Sequence, residues 1–346
     1  MGDHNILLIG SVPLQNSEAV FRALATHLGN DAVAFPDGET GGRLAFVGWF
    51  GQRLGTLPDL EVAKEISFDG PVEQTIKFYR MKLGKHVSDL PLTPLGYAEV
   101  AKASYEEFRR LRANGEMPAD ARFQVCLPSA LNLSWFLKEP FEERIAAFEQ
   151  ALRTEIAELT AAIPTADLTI QWDAPLETHG EEFARRSVAP PDFLARDWTF
   201  EQSTDSLARL CDAVPPDVSM GVHLCYGDPD GHHLIEPHDM SVMVDIANSV
   251  AEKTARPINY IHMPVPIERN DDAYFAPLDT LRVGPATRLF LGLVHAEDGI
   301  DGARVRLAAA RRHVRDFGIG GECGLGRRPP AIVPALLDLH REVAAL

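Results

Sequence analysis

The sequence predicts an α/β protein built as a (β/α)8 TIM barrel, and three observations carry that prediction. Eight short β-branched or apolar runs recur along the chain. Longer amphipathic stretches separate them, the alternation expected of βα units around a parallel sheet. No glycine-rich dinucleotide fingerprint follows an early strand, which argues against the alternative of a doubly wound open sheet.

The predicted strands are Ile6 to Gly10, Ala32 to Phe35, Phe123 to Leu127, Leu168 to Asp173, Val218 to Leu224, Ile258 to Met263, Leu289 to Val294 and Phe317 to Gly321. Helical periodicity is clearest over Pro140 to Ile163, Phe200 to Val214, Met240 to Lys253, Asp301 to Phe317 and Pro330 to Leu346. Residues 36–122 are too many for one crossover. They mix turn-rich sequence with a helical pattern over Tyr97 to Ala113, and read as a loop and helical elaboration after the second strand, over the barrel mouth. With no linker, repeat or low-complexity tract, residues 1–346 are expected to form a single catalytic domain.

Composition sets the class. The chain of 346 residues is 45% apolar and 24% charged, the balance of a protein with a sizeable core. A formal charge of −17 offers no basic stripe for a nucleic acid and repels anionic membrane surfaces on average. No apolar run reaches the roughly 20 residues of a membrane span, and Met1 to Gly10 has no basic region before a long apolar stretch. A cytoplasmic location is expected. The four cysteines, Cys126, Cys211, Cys225 and Cys323, are too few and scattered for a disulfide framework. Oligomeric state is not readable from the sequence.

The strongest local signal is Gly221-Val-His-Leu-Cys-Tyr-Gly-Asp228, in which His223 and Cys225 close a predicted strand. Residues two apart on a strand share a face, and active sites of barrels sit at the C-terminal strand ends. A further thiol ends the last strand, in Gly321-Glu-Cys-Gly-Leu-Gly-Arg-Arg328, where flanking glycines would let the backbone turn sharply around Cys323. One imidazole and two thiolates suit zinc and leave a fourth position for substrate. On spacing alone, a core histidine beside a small buried thiol explains His-x-Cys as well. Cys126, inside an apolar strand, and Cys211, on a helix face, read as packing residues.

These motifs resemble the catalytic half of cobalamin-independent methionine synthase. The resemblance rests on His223-x-Cys225 and Glu322-Cys-Gly-Leu-x-x-Arg328, on Ile9-Gly-Ser-Val-Pro13 and on Ile170-Gln-Trp-Asp-Ala-Pro175, in the family's order across nearly the whole chain. It implies His223, Cys225 and Cys323 as zinc ligands, and Ser11 and Asp173 as contacts to the amino-acid part of a thiol. It further implies Glu39 as an amine-binding carboxylate and His295 as a proton donor. The family's glutamate ligand aligns with His262, with Glu268 as the other candidate. Leu127-Pro-Ser-Ala-Leu-Asn-Leu-Ser-Trp135 is similar to the segment whose tryptophan helps bind folate, so Trp135 is a candidate donor contact. The family enzyme's other half helps hold the donor's polyglutamate tail, so folate is left open as the methyl source.

Arg269, Asp271 and Asp272 are candidates for a substrate contact at the mouth. His232, His233 and His238 read as loop decoration. The implied reaction is alkyl transfer from a small-molecule donor to a zinc-activated small-molecule thiol. Its rivals are thiol opening of an epoxide or ether, a porphyrinogen decarboxylase on the same barrel, and a non-catalytic zinc-binding protein. Acyl transfer is disfavoured because no Gly-x-Ser-x-Gly elbow is present.

Overall fold

The computed structural model describes residues 5–68, 74–227 and 232–346. Met1 to His4 of the amino-terminal stretch, residues 69–73 of the expected elaboration, and Asp228 of the His-x-Cys motif lie outside them.

Among the described residues ten strands run β1 (Ile6–Leu7), β2 (Phe35–Pro36), β3 (Leu60–Phe68), β4 (Gln74–Met81), β5 (Phe123–Pro128), β6 (Leu168–Ala174), β7 (Ser219–Leu224), β8 (Tyr260–Pro264), β9 (Arg288–Val294) and β10 (Gly318–Gly321). Eight of them form one parallel sheet in the order β1-β10-β9-β8-β7-β6-β5-β2. Each predicted strand overlaps one of the eight. The sheet curls into a TIM-barrel-like form. Its outer strands approach each other: Val33 N–H donates to Ile6 O at 2.9 Å, and parallel bridges join Ile6 to Ala32 and Ser11 to Gly38.

Helices α1 (Ser17–His27), α2 (Phe46–Leu54), α3 (Tyr97–Ala113), α4 (Ala130–Ser134), α5 (Phe141–Ala162), α6 (Pro175–Arg185), α7 (Phe200–Ala213), α8 (Ser241–Lys253), α9 (Asp272–Phe275), α10 (Gly299–Ala310) and α11 (Val333–Ala344) fill the intervals. Their starts are set locally. Asn16 accepts from Ala19 N–H to begin α1, Thr199 and Gln202 form a capping box at α7, and Pro175 opens α6, where its missing N–H costs nothing. The sheet strands are buried along both faces, as helix-covered parallel strands must be.

Three expectations are corrected. The Asp301 to Phe317 helix ends at Ala310 and yields to turns. Helix α6 was missed because its periodic face is interrupted by Glu177, Thr178 and His179, all buried. Between β2 and β5 the chain holds α2, the antiparallel pair β3–β4 and α3, and the pair had no expectation. Most side chains of β3 are exposed, so it lacks the apolar alternation that announces a strand. Among the described residues no helix is long and apolar enough to cross a membrane.

Candidate functional site

The register of the parallel sheet assembles the site. Asp173 on β6 pairs with His223 on β7, which pairs with His262 on β8. Paired residues of neighbouring strands stand side by side on one face, so a carboxylate and two imidazoles share one level near the strand ends. Ser11 follows β1, Glu39 follows β2, Cys225 follows β7 and Cys323 follows β10. All four lie at the C-terminal rim, where barrel chemistry concentrates.

His223, Cys225 and Cys323 come together as a group whose ligand atoms all lie within 4.8 Å of one another. Cys225 Sγ is 3.7 Å from Cys323 Sγ, and Cys323 Sγ is 3.9 Å from His223 Nε2. A tetrahedral ion bound at about 2.3 Å to sulfur and about 2.0–2.1 Å to nitrogen sets two sulfurs about 3.8 Å apart and a sulfur and nitrogen about 3.5–3.6 Å apart. The spacing and the donor set therefore fit zinc. All four cysteines are thiols, none in a disulfide.

The glycines around Cys323 are needed for space more than for turning. None of Gly321, Gly324 and Gly326 has a positive φ. A Cβ on Gly324 would fall 2.2 Å from Ser11 Oγ, and Gly326 N–H donates to that oxygen at 3.2 Å. With Leu325 N–H donating to Ser11 O at 2.7 Å, the loop after β10 is clamped onto the loop after β1.

A cavity of about 140 Å³ opens beside the three ligand candidates. Ser11, Glu39, Asp173, Trp135, His223, Cys225 and Cys323 all line it, beneath apolar walls from Phe46, Ile76, Phe193 and Leu194. Glu39 and Asp173 form a second buried group with Cys126. Burial, and then the neighbouring carboxylates Asp173 and Asp37, push the Glu39 carboxyl well above its ordinary range, against the pull of Arg43. Burial does the same to Asp173, although Gln171 donates to it at 2.8 Å. Arg43 is already engaged by Asp37 at 2.8 Å. Glu39 has a φ of 49°, in the left-handed region that non-glycine residues avoid, a strain of the kind that gathers at functional sites.

The remaining sequence candidates fall elsewhere. His262 does not join the ligand group: its Nδ1 lies 2.8 Å from His223 Nδ1 and its Nε2 lies 3.1 Å from Gly321 O. Glu268 is exposed and is also outside that group. His295 is buried but lines a separate cavity across the Cys323 loop, with Nε2 donating to Val265 O at 2.8 Å. Burial lowers its pKa, opposed by Glu322. Arg269 pairs with Asp271 at 2.9 Å and reaches the carbonyls of Pro237 and His238. Asp271 caps α9 through Tyr274 N–H, and Asp272 bonds Arg312 and His313. His233 bridges Glu236 and Glu322, beside Cys323, and His238 pairs with Asp239.

Sequence reasoning missed Asn132 and His179, which both line the cavity beside Cys225 and Cys323. His179 is buried with its Nδ1 unpartnered among the described residues, and burial lowers its pKa to about 3, keeping it neutral. Its position four residues beyond Pro175, in the first turns of α6, was the available signal.

Fold and site define a class first: a TIM-barrel-like parallel sheet with an imidazole and two thiols at its C-terminal rim. In fold the chain is similar to a B12-independent methionine synthase from Shewanella sp. W3-18-1 solved in complex with selenomethionine, at a TM-score of 0.59 and 15% identity over 99% of this chain and 96% of that one. A methyltransferase from Methanosarcina mazei is similar at a TM-score of 0.50 and 12% identity, over 94% and 84% of the two chains. At such identities the likeness is one of fold. No protein-family model and no curated protein matches the sequence.

Proposed function

We propose that the protein is a zinc-dependent thiol alkyltransferase, methionine-synthase-like and most simply a methyltransferase, on a closed single-domain (β/α)8 barrel elaborated by residues 36–122. The observation that carries this reading is the spacing of His223, Cys225 and Cys323 on the wall of a cavity that also holds two buried carboxylates with raised pKa values. Bound by those three residues, zinc would supply a lowered pKa for a substrate thiol, making thiolate available at neutral pH.

Glu39 and Asp173 are the anchor for an ammonium group, since two buried carboxylates with raised pKa values gain most from a cation placed between them. The thiol is accordingly an amino-thiol, with Ser11 at its amino-acid end. Trp135 and the apolar walls receive the alkyl donor and exclude water. The thiolate sulfur attacks an sp3 carbon in line. The S–C bond forms, the bond from carbon to its heteroatom breaks, and the electron pair leaves with the heteroatom, which takes up the proton that the thiol lost. His179 is placed to hydrogen-bond that heteroatom, because it lines the same cavity as the thiols whereas His295 does not. Arg327 is the one arginine among the described lining residues, too few to hold the several carboxylates of a porphyrinogen.

The test is zinc content and zinc-edge X-ray absorption of the purified protein, with and without homocysteine. Near-stoichiometric zinc and an added sulfur scatterer with homocysteine are expected. Zinc affinity should fall by more than about 100-fold in Cys225→Ser and in Cys323→Ser, beyond the range of outer-shell changes. Zinc binding indifferent to both cysteines would refute the reading.

A further inference from the structure

His262 is a buried titratable group that the chemistry above leaves unused. It is 0% exposed and lines neither cavity beside the Cys323 loop. Its Nε2 lies 3.1 Å from Gly321 O, and a carbonyl only accepts, so Nε2 carries the hydrogen. A neutral imidazole has one N–H, which makes His262 Nδ1 an acceptor. The 2.8 Å contact with His223 Nδ1 then requires the hydrogen on His223 Nδ1. His223 Nε2 is left with its lone pair, and that is the nitrogen facing Cys323 Sγ.

The backbone makes room for this arrangement. A Cβ on Gly320 would stand 3.3 Å from His262 Nε2 and 2.8 Å from Leu7 O, so a glycine there lets the imidazole lie against β10. Gly321 precedes Glu322 and Cys323 directly. The chain of hydrogen bonds therefore runs from the strand that delivers Cys323, through β8, to the strand that delivers His223.

We propose that His262 is a positioning residue: a relay from the Gly321 carbonyl that fixes His223 as an Nε2 ligand, holds β7 and β10 at ligand distance, and leaves a site of three protein ligands. Were His262 itself to bind the ion, either Gly321 O or His223 Nδ1–H would lose its partner in a fully buried interior. The fourth position accordingly belongs to the substrate thiolate. The ligand count rests on the metal reading above, but the tautomers do not.

The experiment is long-range ¹H–¹⁵N correlation of the imidazoles in metal-free and zinc-loaded protein, with zinc affinity measured by chelator competition in wild type, His262→Phe and His262→Gln. Wild-type protein should show Nδ1–H on His223 and Nε2–H on His262, and zinc should shift His223 Nε2 while sparing both nitrogens of His262. Zinc affinity should fall about 10- to 100-fold in His262→Phe. His262→Gln, whose amide accepts from His223 and donates to Gly321, should recover most of that loss. An Nε2–H tautomer at His223, direct zinc shifts at His262, or a folded His262→Phe with wild-type affinity would overturn the proposal. If His262→Phe does not fold, the tautomers and the Gln variant decide. If wild type binds no zinc, the metal reading falls and the metal-free tautomers alone decide for or against the relay.

Discussion

Two cavities meet at the Cys323 loop, sharing Cys323, Gly324 and Arg327 in their walls, and they treat charge in opposite ways. In the cavity of Glu39 and Asp173, burial and the neighbouring Asp173 raise the cost of charging Glu39, the nearby Arg43 is paired with Asp37, and His179 Nδ1 has no partner among the described residues. Across the loop, His233 meets Glu322 at 2.9 Å, Arg269 meets Asp271 at 2.9 Å, and Arg328 meets Glu297. Buried polar groups ordinarily find partners within the fold. Under the proposed function the carboxylates and His179 of the first cavity are held for a ligand, while the ion pairs of the second build the loops that carry the site.

The sharpest way to break that comparison is to remove a carboxylate from the first cavity. Asp173→Asn and Glu39→Gln should each weaken homocysteine binding by about 30-fold or more, the scale for losing one member of a buried, hydrogen-bonded charge pair. Binding of the des-amino thiol 4-mercaptobutyrate should scarcely change. Calorimetry with the two thiols distinguishes the cases, and equal losses for both would mean that the carboxylates do not read an ammonium.

Stability should move the other way. A carboxyl whose pKa is raised in the folded state contributes stability that is fully present below its unfolded value of about 4 and is lost as pH rises through the raised native value. Asp173→Asn removes that loss. Its Tm at pH 8 should exceed that of wild type by about 2–4 °C, with the gap closing toward pH 4. Thermal melts across that range check it, and a pH-independent gap would mean that Asp173 is not carrying an unpaired charge.

The smallest effects belong to the compensated cavity. Asp271→Ala removes the cap of α9 and should cost about 1 kcal/mol without altering homocysteine affinity. His295→Asn should leave zinc content and thiol affinity at wild-type values. A loss of zinc or of thiol binding in either variant would erase the distinction between the two cavities.

Much of this was legible in the chain. The strands with continuous apolar runs, such as Leu168–Ala174 and Arg288–Val294, declare themselves because a helix-covered parallel strand is buried on both faces. His223-x-Cys225 was legible because period-two geometry is local. The exposed strand β3 and helix α6, with its buried polar residues, were not legible, since neither pattern separates inside from outside. The alignment put His262 on the strand Ile258 to Met263, which forms as β8, but spacing along one strand does not show the 2.8 Å approach of its Nδ1 to His223 Nδ1 on the neighbouring strand.

The sequence by itself therefore determined the sheet, its order of βα units and the thiol and imidazole candidates, because these depend on periodicity and on which residues end each strand. The tertiary structure decided the partners. Whether Cys225 and Cys323 meet at 3.7 Å, whether His295 faces the thiols or the far cavity, and which nitrogen of His223 is left open all depend on strand register and loop packing between residues up to about a hundred positions apart. Those relations are long-range, and no local pattern encodes them.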